Sequence, residues 1–165
     1  MQGITPFLWF EKEAEEAAKF YISIFKKNSR IVSNTKLENT PSGDNTYVLE
    51  VVLCGTHFVF INGGKNTGFN FSPATSFVIK CKDQKEIDHY WERLGNGGKP
   101  IQCGWLSDKY GVMWQIVPKI LPKLLRGSDE KGRAQAMQAM LSMVKLDIKK
   151  LKDAYARKQM EYTSS

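Results

Sequence analysis

Hydrophobic and polar positions alternate in short runs along most of the chain, and a spacing of three and four interrupts that alternation. Residues 4–10 (ITPFLWF) read as a short strand and residues 11–26 as a helix. In that helix Ala14, Ala17, Ala18, Tyr21, Ile22 and Phe25 share one face, with Glu13, Glu15, Glu16 and Lys19 largely opposite. The early acids suit the positive end of the helix dipole. Residues 30–37, 46–53 and 56–62 are β-branched or aromatic and read as strands. A turn cluster, ENTPSGDN, separates the first two, and Cys54-Gly55 forms a tight hairpin between the others. The first module is therefore β-α-β-β-β.

A loop of Gly, Asn and Pro (residues 63–74) leads into a second unit. Residues 75–81 read as a strand, and residues 82–98 as a helix with early acids, Tyr90 and Trp91 on one face and a Gly-rich stop. Residues 101–108 and 112–118 read as strands around the turn Lys109-Tyr110-Gly111, and Pro118 and Pro122 punctuate the exit. A shift of 70 residues places Pro6 on Ser76, Phe20 on Tyr90 and Tyr21 on Trp91. Self-similarity at this scale implies a duplicated supersecondary unit. Two such units can bury their apolar sheet faces by curving around a shared cavity. The expected fold is α+β: a domain over residues 1–125 made of two modules (about 3–64 and 74–118), with a helical tail over 126–165 packing on the domain or on a dimer partner. In the tail, Ala134, Met137, Met140, Leu141, Val144, Ile148 and Leu151 recur at helical spacing, and Ser128 followed by Asp129 and Glu130 marks a helix start. The stripe packs against the protein's own sheet or a second copy, or else offers an adaptable methionine face to a partner.

Composition narrows the picture. A 165-residue chain with 42% hydrophobic and 25% charged residues buries a core without help from a metal or disulfide. It holds no apolar run of about 18 residues and no basic, apolar leader at its start, which points away from membranes and toward the cytoplasm. The net charge of +7 gathers in the tail, at Lys145, Lys149, Lys150, Lys152, Arg157 and Lys158. No nucleic-acid-binding motif accompanies it, so it reads as a solvated face and no nucleic-acid partner is expected. Cys54, Cys81 and Cys103 form no C-x-x-C pair and fit neither a zinc site nor a disulfide framework. Cys54 and Cys81 read as core, and Cys103, flanked by glycine, as a site candidate.

Candidate chemistry is sparse. His57 and His89 have no carboxylate at ligand spacing. There is no G-x-S-x-G elbow, no phosphate-binding G-x-x-x-x-G-K-[ST] and no G-x-G-x-x-G, which argues against a nucleotide or S-adenosylmethionine site of the Rossmann kind. What remains is a set of aromatic and polar residues in strands and Gly-rich turns: Trp9, Asn62-Gly63-Gly64, Phe69, Phe71, Ser76, Cys103-Gly104-Trp105, Lys109-Tyr110-Gly111 and Trp114-Gln115. Aromatic walls with a few fixed polar groups line many small-molecule pockets. From this set the ligand-binding candidates are Trp9, Phe60, Asn62, Ser76, Phe77, Cys103, Trp105 and Gln115, with no catalytic residue assigned.

The segments ITPFLWF with A-x-x-F-Y, FINGG, F-N-F-S-P-A-T-S-F, D-Q-x-E-I-D-x-Y-W, CGWLSDKYG and WQIVP resemble the PhnB-like family of the vicinal-oxygen-chelate (glyoxalase/bleomycin resistance/dioxygenase) superfamily, from about residue 3 to residue 155. Members are often labelled 3-demethylubiquinone-9 3-methyltransferase. The resemblance implies paired β-α-β-β-β modules, a homodimer and a small-molecule ligand held between the modules. It also implies metal-ligand positions, in metal-dependent relatives, that match Pro6 (or Thr5), Ser76, Gln115 and one residue near Phe60 to Asn62. Proline offers no side-chain donor, and Ser and Gln are neutral, so a divalent cation would lose most of its usual negative charge. No metal or cofactor is therefore expected. A ligand-binding protein, an enzyme of the superfamily with a metal-independent or degenerate site, and a methyltransferase-labelled member of unknown activity all remain open readings.

Overall fold

The computed structural model describes residues 3–43, 45–65, 68 and 70–156; Phe69, Arg157 and Lys158 lie outside them. The chain divides into two compact units, residues 1–70 and 71–165. The first contains β1 (Phe7–Phe10), α1 (Ala14–Phe25), β2 (Arg30–Leu37), β3 (Thr46–Leu53) and β4 (Thr56–Asn62). The second contains β5 (Phe77–Cys81), α2 (Gln84–Gly95), β6 (Lys99–Pro100), β7 (Trp105–Ser107) and β8 (Met113–Pro118), then α3 (Leu121–Arg126), α4 (Glu130–Leu141) and α5 (Ile148–Ala156). Both sheets are mixed and share one topology, β1-β4-β3-β2 and β5-β8-β7-β6. In each, the first and last strands run parallel, β1 with β4 and β5 with β8. The 70-residue repeat holds for the element starts, since β1 and α1 begin 70 positions before β5 and α2, but the inward positions shift by one: Leu8 is buried in β1, whereas Val78 is exposed in β5.

Each helix covers one sheet face. In the first unit Ala14, Ala17, Ala18, Tyr21, Ile24 and Phe25 of α1 are buried, and Tyr21 meets Phe60 edge-on with ring centroids 5.9 Å apart. Ile24, and not Ile22, completes that face. The hairpin between β3 and β4 turns with positive φ at Cys54 and Gly55, which carries Cys54 to the surface rather than into the expected core. Cys81 is buried as expected, and desolvation pushes its thiol up to about 12.

The second module is shortened. Where β2 and β3 have eight residues each, β6 and β7 have two and three. The residues between them, expected to belong to a strand, turn sharply at Cys103 and Gly104, both with positive φ. That turn receives the tail, because the N–H groups of Cys103 and Gly104 donate to the carbonyls of Met143 and Val144, at 2.8 Å each. From α2, the Gln84 side chain donates to the Leu146 carbonyl at 3.1 Å and accepts from the Ile148 N–H at 3.0 Å. Asp88 pairs with Lys145 at 2.7 Å, which with Gln84 holds its carboxyl below the usual range. The tail is therefore part of the second unit.

Beyond β8, Pro122 sits in the first turn of α3, where a missing N–H costs little. Two features of the tail differ from the expectation. Asp129, not Ser128, caps α4, accepting from the Gly132 N–H at 3.2 Å. The helical stripe does not run through, since the chain leaves the helix between Leu141 and Ile148 and resets the phase. The buried set is Leu124, Ala136, Leu146 and Leu151, while Met137, Leu141 and Val144 are exposed.

Candidate functional site

Strand alternation sorts the candidates onto opposite faces of each sheet. In the second unit Phe77 pairs with Trp114, and Trp114 with Leu106, on the face that α2 covers. The rings of Phe77 and Trp114 are 5.4 Å apart, and Trp114 is 4% exposed. Phe77 thus belongs with the core side of the sheet rather than with the polar candidates. Its neighbour Val78 pairs with Gln115, and Trp105 pairs with Gln115 from the other side. Ser76, two residues before Val78, stands on this second face, and Gln115 Nε2 donates to its Oγ at 2.9 Å. This face is not covered by α2, and Val78 is 50% exposed on it. Ser76, Trp105 and Gln115 are the three candidates that the fold brings together.

In the first unit Trp9 lies on the open face and is 42% exposed. Its indole lies against Gly63, where a Cβ would come within 2.2 Å of the ring, and its Nε1 donates to the Gly64 carbonyl at 3.1 Å. The Asn-Gly-Gly segment is thereby explained as a platform for an indole. Phe60 is fully buried among Phe10, Phe58 and Tyr21, so it is a core ring with no open face to offer a ligand. Asn62 turns toward α1, where its Oδ1 accepts the Ala14 N–H at 2.7 Å. That caps a helix whose own N-cap residue, Glu13, makes no side-chain cap. Cys103 is held in the turn that receives the tail, beside Gly104, whose carbonyl accepts the Ile116 N–H of β8 at 2.7 Å.

One residue the sequence reading passed over organises the second unit. Asp108 is 3% exposed. Its carboxylate accepts from the Tyr110 N–H at 2.9 Å, the Val112 N–H at 3.0 Å and Trp114 Nε1 at 2.8 Å. The Lys109-Tyr110-Gly111 turn and the buried indole are fixed by this one group, which accounts for the S-D-K-Y-G-x-x-W spacing in structural terms. An acid just before a Gly turn and six residues before a tryptophan was the available signal.

The residues at the superfamily's metal positions do not fit a metal. Pro6 has no side-chain donor and its carbonyl accepts from the Val59 N–H at 3.0 Å, while the Ser76 and Gln115 side chains bond each other. Among the described residues no three His, Cys, Asp or Glu side chains gather to hold a cation. No described helix is long and apolar enough to cross a membrane.

The model of the family described as 3-demethylubiquinone-9 3-methyltransferase matches residues 2–117. The chain belongs to this PhnB-like family. With it comes membership of the vicinal-oxygen-chelate superfamily. A PhnB protein from Bacillus cereus is 38% identical, with a TM-score of 0.64 over 71% of this chain and 99% of its own. At 14% identity, protein PA1353 from Pseudomonas aeruginosa gives a TM-score of 0.58, over 72% of this chain and 98% of that one. The fosfomycin resistance protein FosX from Listeria monocytogenes, also 14% identical, gives 0.55, over 76% and 97%. The last two support the fold alone. A comparison with curated proteins gave no match. The family match stops at 117, so α3, α4 and α5 lie beyond it, whereas the sequence resemblance had been extended to residue 155.

Proposed function

We propose that this PhnB-like protein binds a small organic molecule on the open face of its second sheet, at Ser76, Gln115 and Trp105. The observation that carries the reading is the 2.9 Å hydrogen bond from Gln115 Nε2 to Ser76 Oγ on that face. It fixes both side chains and leaves the Ser76 hydroxyl proton, the Gln115 carbonyl oxygen and its second N–H available to a ligand. Trp105 flanks Gln115 and supplies an apolar surface. Fixed, neutral donors and acceptors beside an aromatic ring suit an uncharged polar ligand better than an ion. Cys103 is not needed for this proposal. Binding without metal-dependent chemistry is favoured by the neutral donors at the metal positions.

The proposal includes self-association and a reducing, cytoplasmic setting. Phe7, Trp9 and Val78 expose 57%, 42% and 50% of their surface on the sheet faces opposite α1 and α2, and such apolar exposure marks contact surfaces. Three cysteines without disulfides suit a reducing compartment. The test of the ligand site is capture from a metabolite extract followed by mass spectrometry. Wild-type protein should retain a compound that the Ser76→Val, Gln115→Leu variant loses; equal retention by both would overturn the assignment.

A further inference from the structure

The tail beyond the family match carries features that neither the fold nor the ligand site uses. Residues 119–165 hold 11 Lys and Arg against five Asp and Glu, so +6 of the chain's +7 resides there. An open groove of about 590 Å³ runs between α4 and α5. One wall is Ala134, Gln138 and Ser142, spaced by four; the other is Lys150, Asp153 and Ala154. Met137 and Leu141 follow the first two wall residues by three, so the helical repeat sets them beside that wall. With Val144 they are 38%, 49% and 46% exposed. Gln135 also lines the groove, and its Oε1 is buried with no hydrogen-bond partner.

We propose that the α4–α5 groove and its apolar rim dock an acidic amphipathic helix of another protein. A helix laid in a groove needs small wall residues for close approach, apolar anchors at three-and-four spacing and complementary charge at the edges. Ala134 and Ala154 supply the first, and Met137, Leu141 and Val144 the second. Lys150 and Lys152, both exposed, supply the third together with the tail's net charge. Three of the acids nearby are engaged, and Glu130, exposed four residues before Ala134, is the fourth. Asp153 pairs with Lys149 at 2.6 Å, Asp147 caps α5 through the Lys150 N–H, and Asp129 caps α4. Turning the Gln135 amide toward the groove would let an N–H or O–H of the docked helix satisfy its oxygen. The same net charge disfavours the corresponding tail of a second copy as occupant, because it sets +6 against +6.

The test uses the full chain and a fluorescein-labelled Leu/Glu peptide of about 18 residues, long enough for five helical turns, with leucines at i, i+3, i+4 and i+7. Saturable anisotropy binding is expected. Binding should weaken at least about tenfold for Leu141→Glu with Met137→Glu, both exposed positions, as expected for loss of interface anchors. Circular dichroism of the variant should match the wild type. Lys150→Glu with Lys152→Glu should weaken binding and flatten its salt dependence. Four results would overturn the proposal: no saturable binding, equal binding of a scrambled peptide of the same composition, preference for phosphatidylserine vesicles over the peptide, or loss of peptide binding through tail-to-tail self-association.

Discussion

Replacing Asp108 with alanine removes three hydrogen bonds at once, a part-buried one from the Tyr110 N–H and buried ones from the Val112 N–H and Trp114 Nε1. Bonds to a charged acceptor contribute about 1.5–3 kcal/mol each, and a buried donor left without a partner costs about 1–3 kcal/mol. Water entering the space left by the carboxylate would satisfy part of that loss, so a net cost of about 3–5 kcal/mol is expected, at the upper end for a single substitution. Asp108→Asn keeps the shape but offers one oxygen where the carboxylate offers two, so it should lose about 2–3 kcal/mol. Urea unfolding followed by far-UV circular dichroism measures both, with Trp114 reporting through near-UV circular dichroism. The ordering wild type above Asp108→Asn above Asp108→Ala is expected. A loss below about 1 kcal/mol for Asp108→Ala would refute the view that this carboxylate holds the turn, and would reopen a ligand-facing role for the S-D-K-Y-G segment.

Other substitutions separate the structural residues from the site. Asn62→Ala should cost about 1 kcal/mol, the usual loss of a helix cap, in the same unfolding assay and leave ligand capture unchanged. Gly63→Ala puts a methyl within 2.2 Å of the Trp9 ring and should displace it, which a changed tryptophan emission maximum would report. Asp88 has its carboxyl held below the ordinary value, so its pairing with Lys145 stabilises the docked tail above the unfolded value of about 3.9 and is lost as pH falls through the folded one. Protection factors at residues 145–148, with the intrinsic pH dependence of amide exchange divided out, should therefore fall below that range in the wild type, and Asp88→Asn should remove that fall.

The fold was largely legible because its signals are local. β2, β3 and β4 carry alternation or β-branched runs between strong turn residues, and their ends fall where the pattern stops. The 70-residue repeat gave the topology twice over. Local signals failed where tertiary contacts decide. The residues from 101 to 104 look like a strand, yet the tail's carbonyls take the N–H groups of Cys103 and Gly104, and the Ile101 N–H turns back to the Trp105 carbonyl. The tail's apolar residues recur at helical spacing, but α4 buries Gly132 and Ala136 instead, which leaves Met137 and Leu141 in solvent. In the site, alternation alone separates Gln115 from Trp114, which places Ser76 and Trp105 with the former and Phe77 with the latter. The roles of Phe60 and Asn62 depend on α1 lying over them, a contact that no pattern within β4 announces.

The central claim is that Ser76, Gln115 and Trp105 form a ligand-holding face. The most direct measurement is a crystal structure of the protein with the captured compound. The account predicts density against the second sheet, with polar atoms within hydrogen-bond distance of Ser76 Oγ and the Gln115 amide and a ring or alkyl group on Trp105. A compound bound elsewhere with the Ser76–Gln115 pair untouched would contradict it.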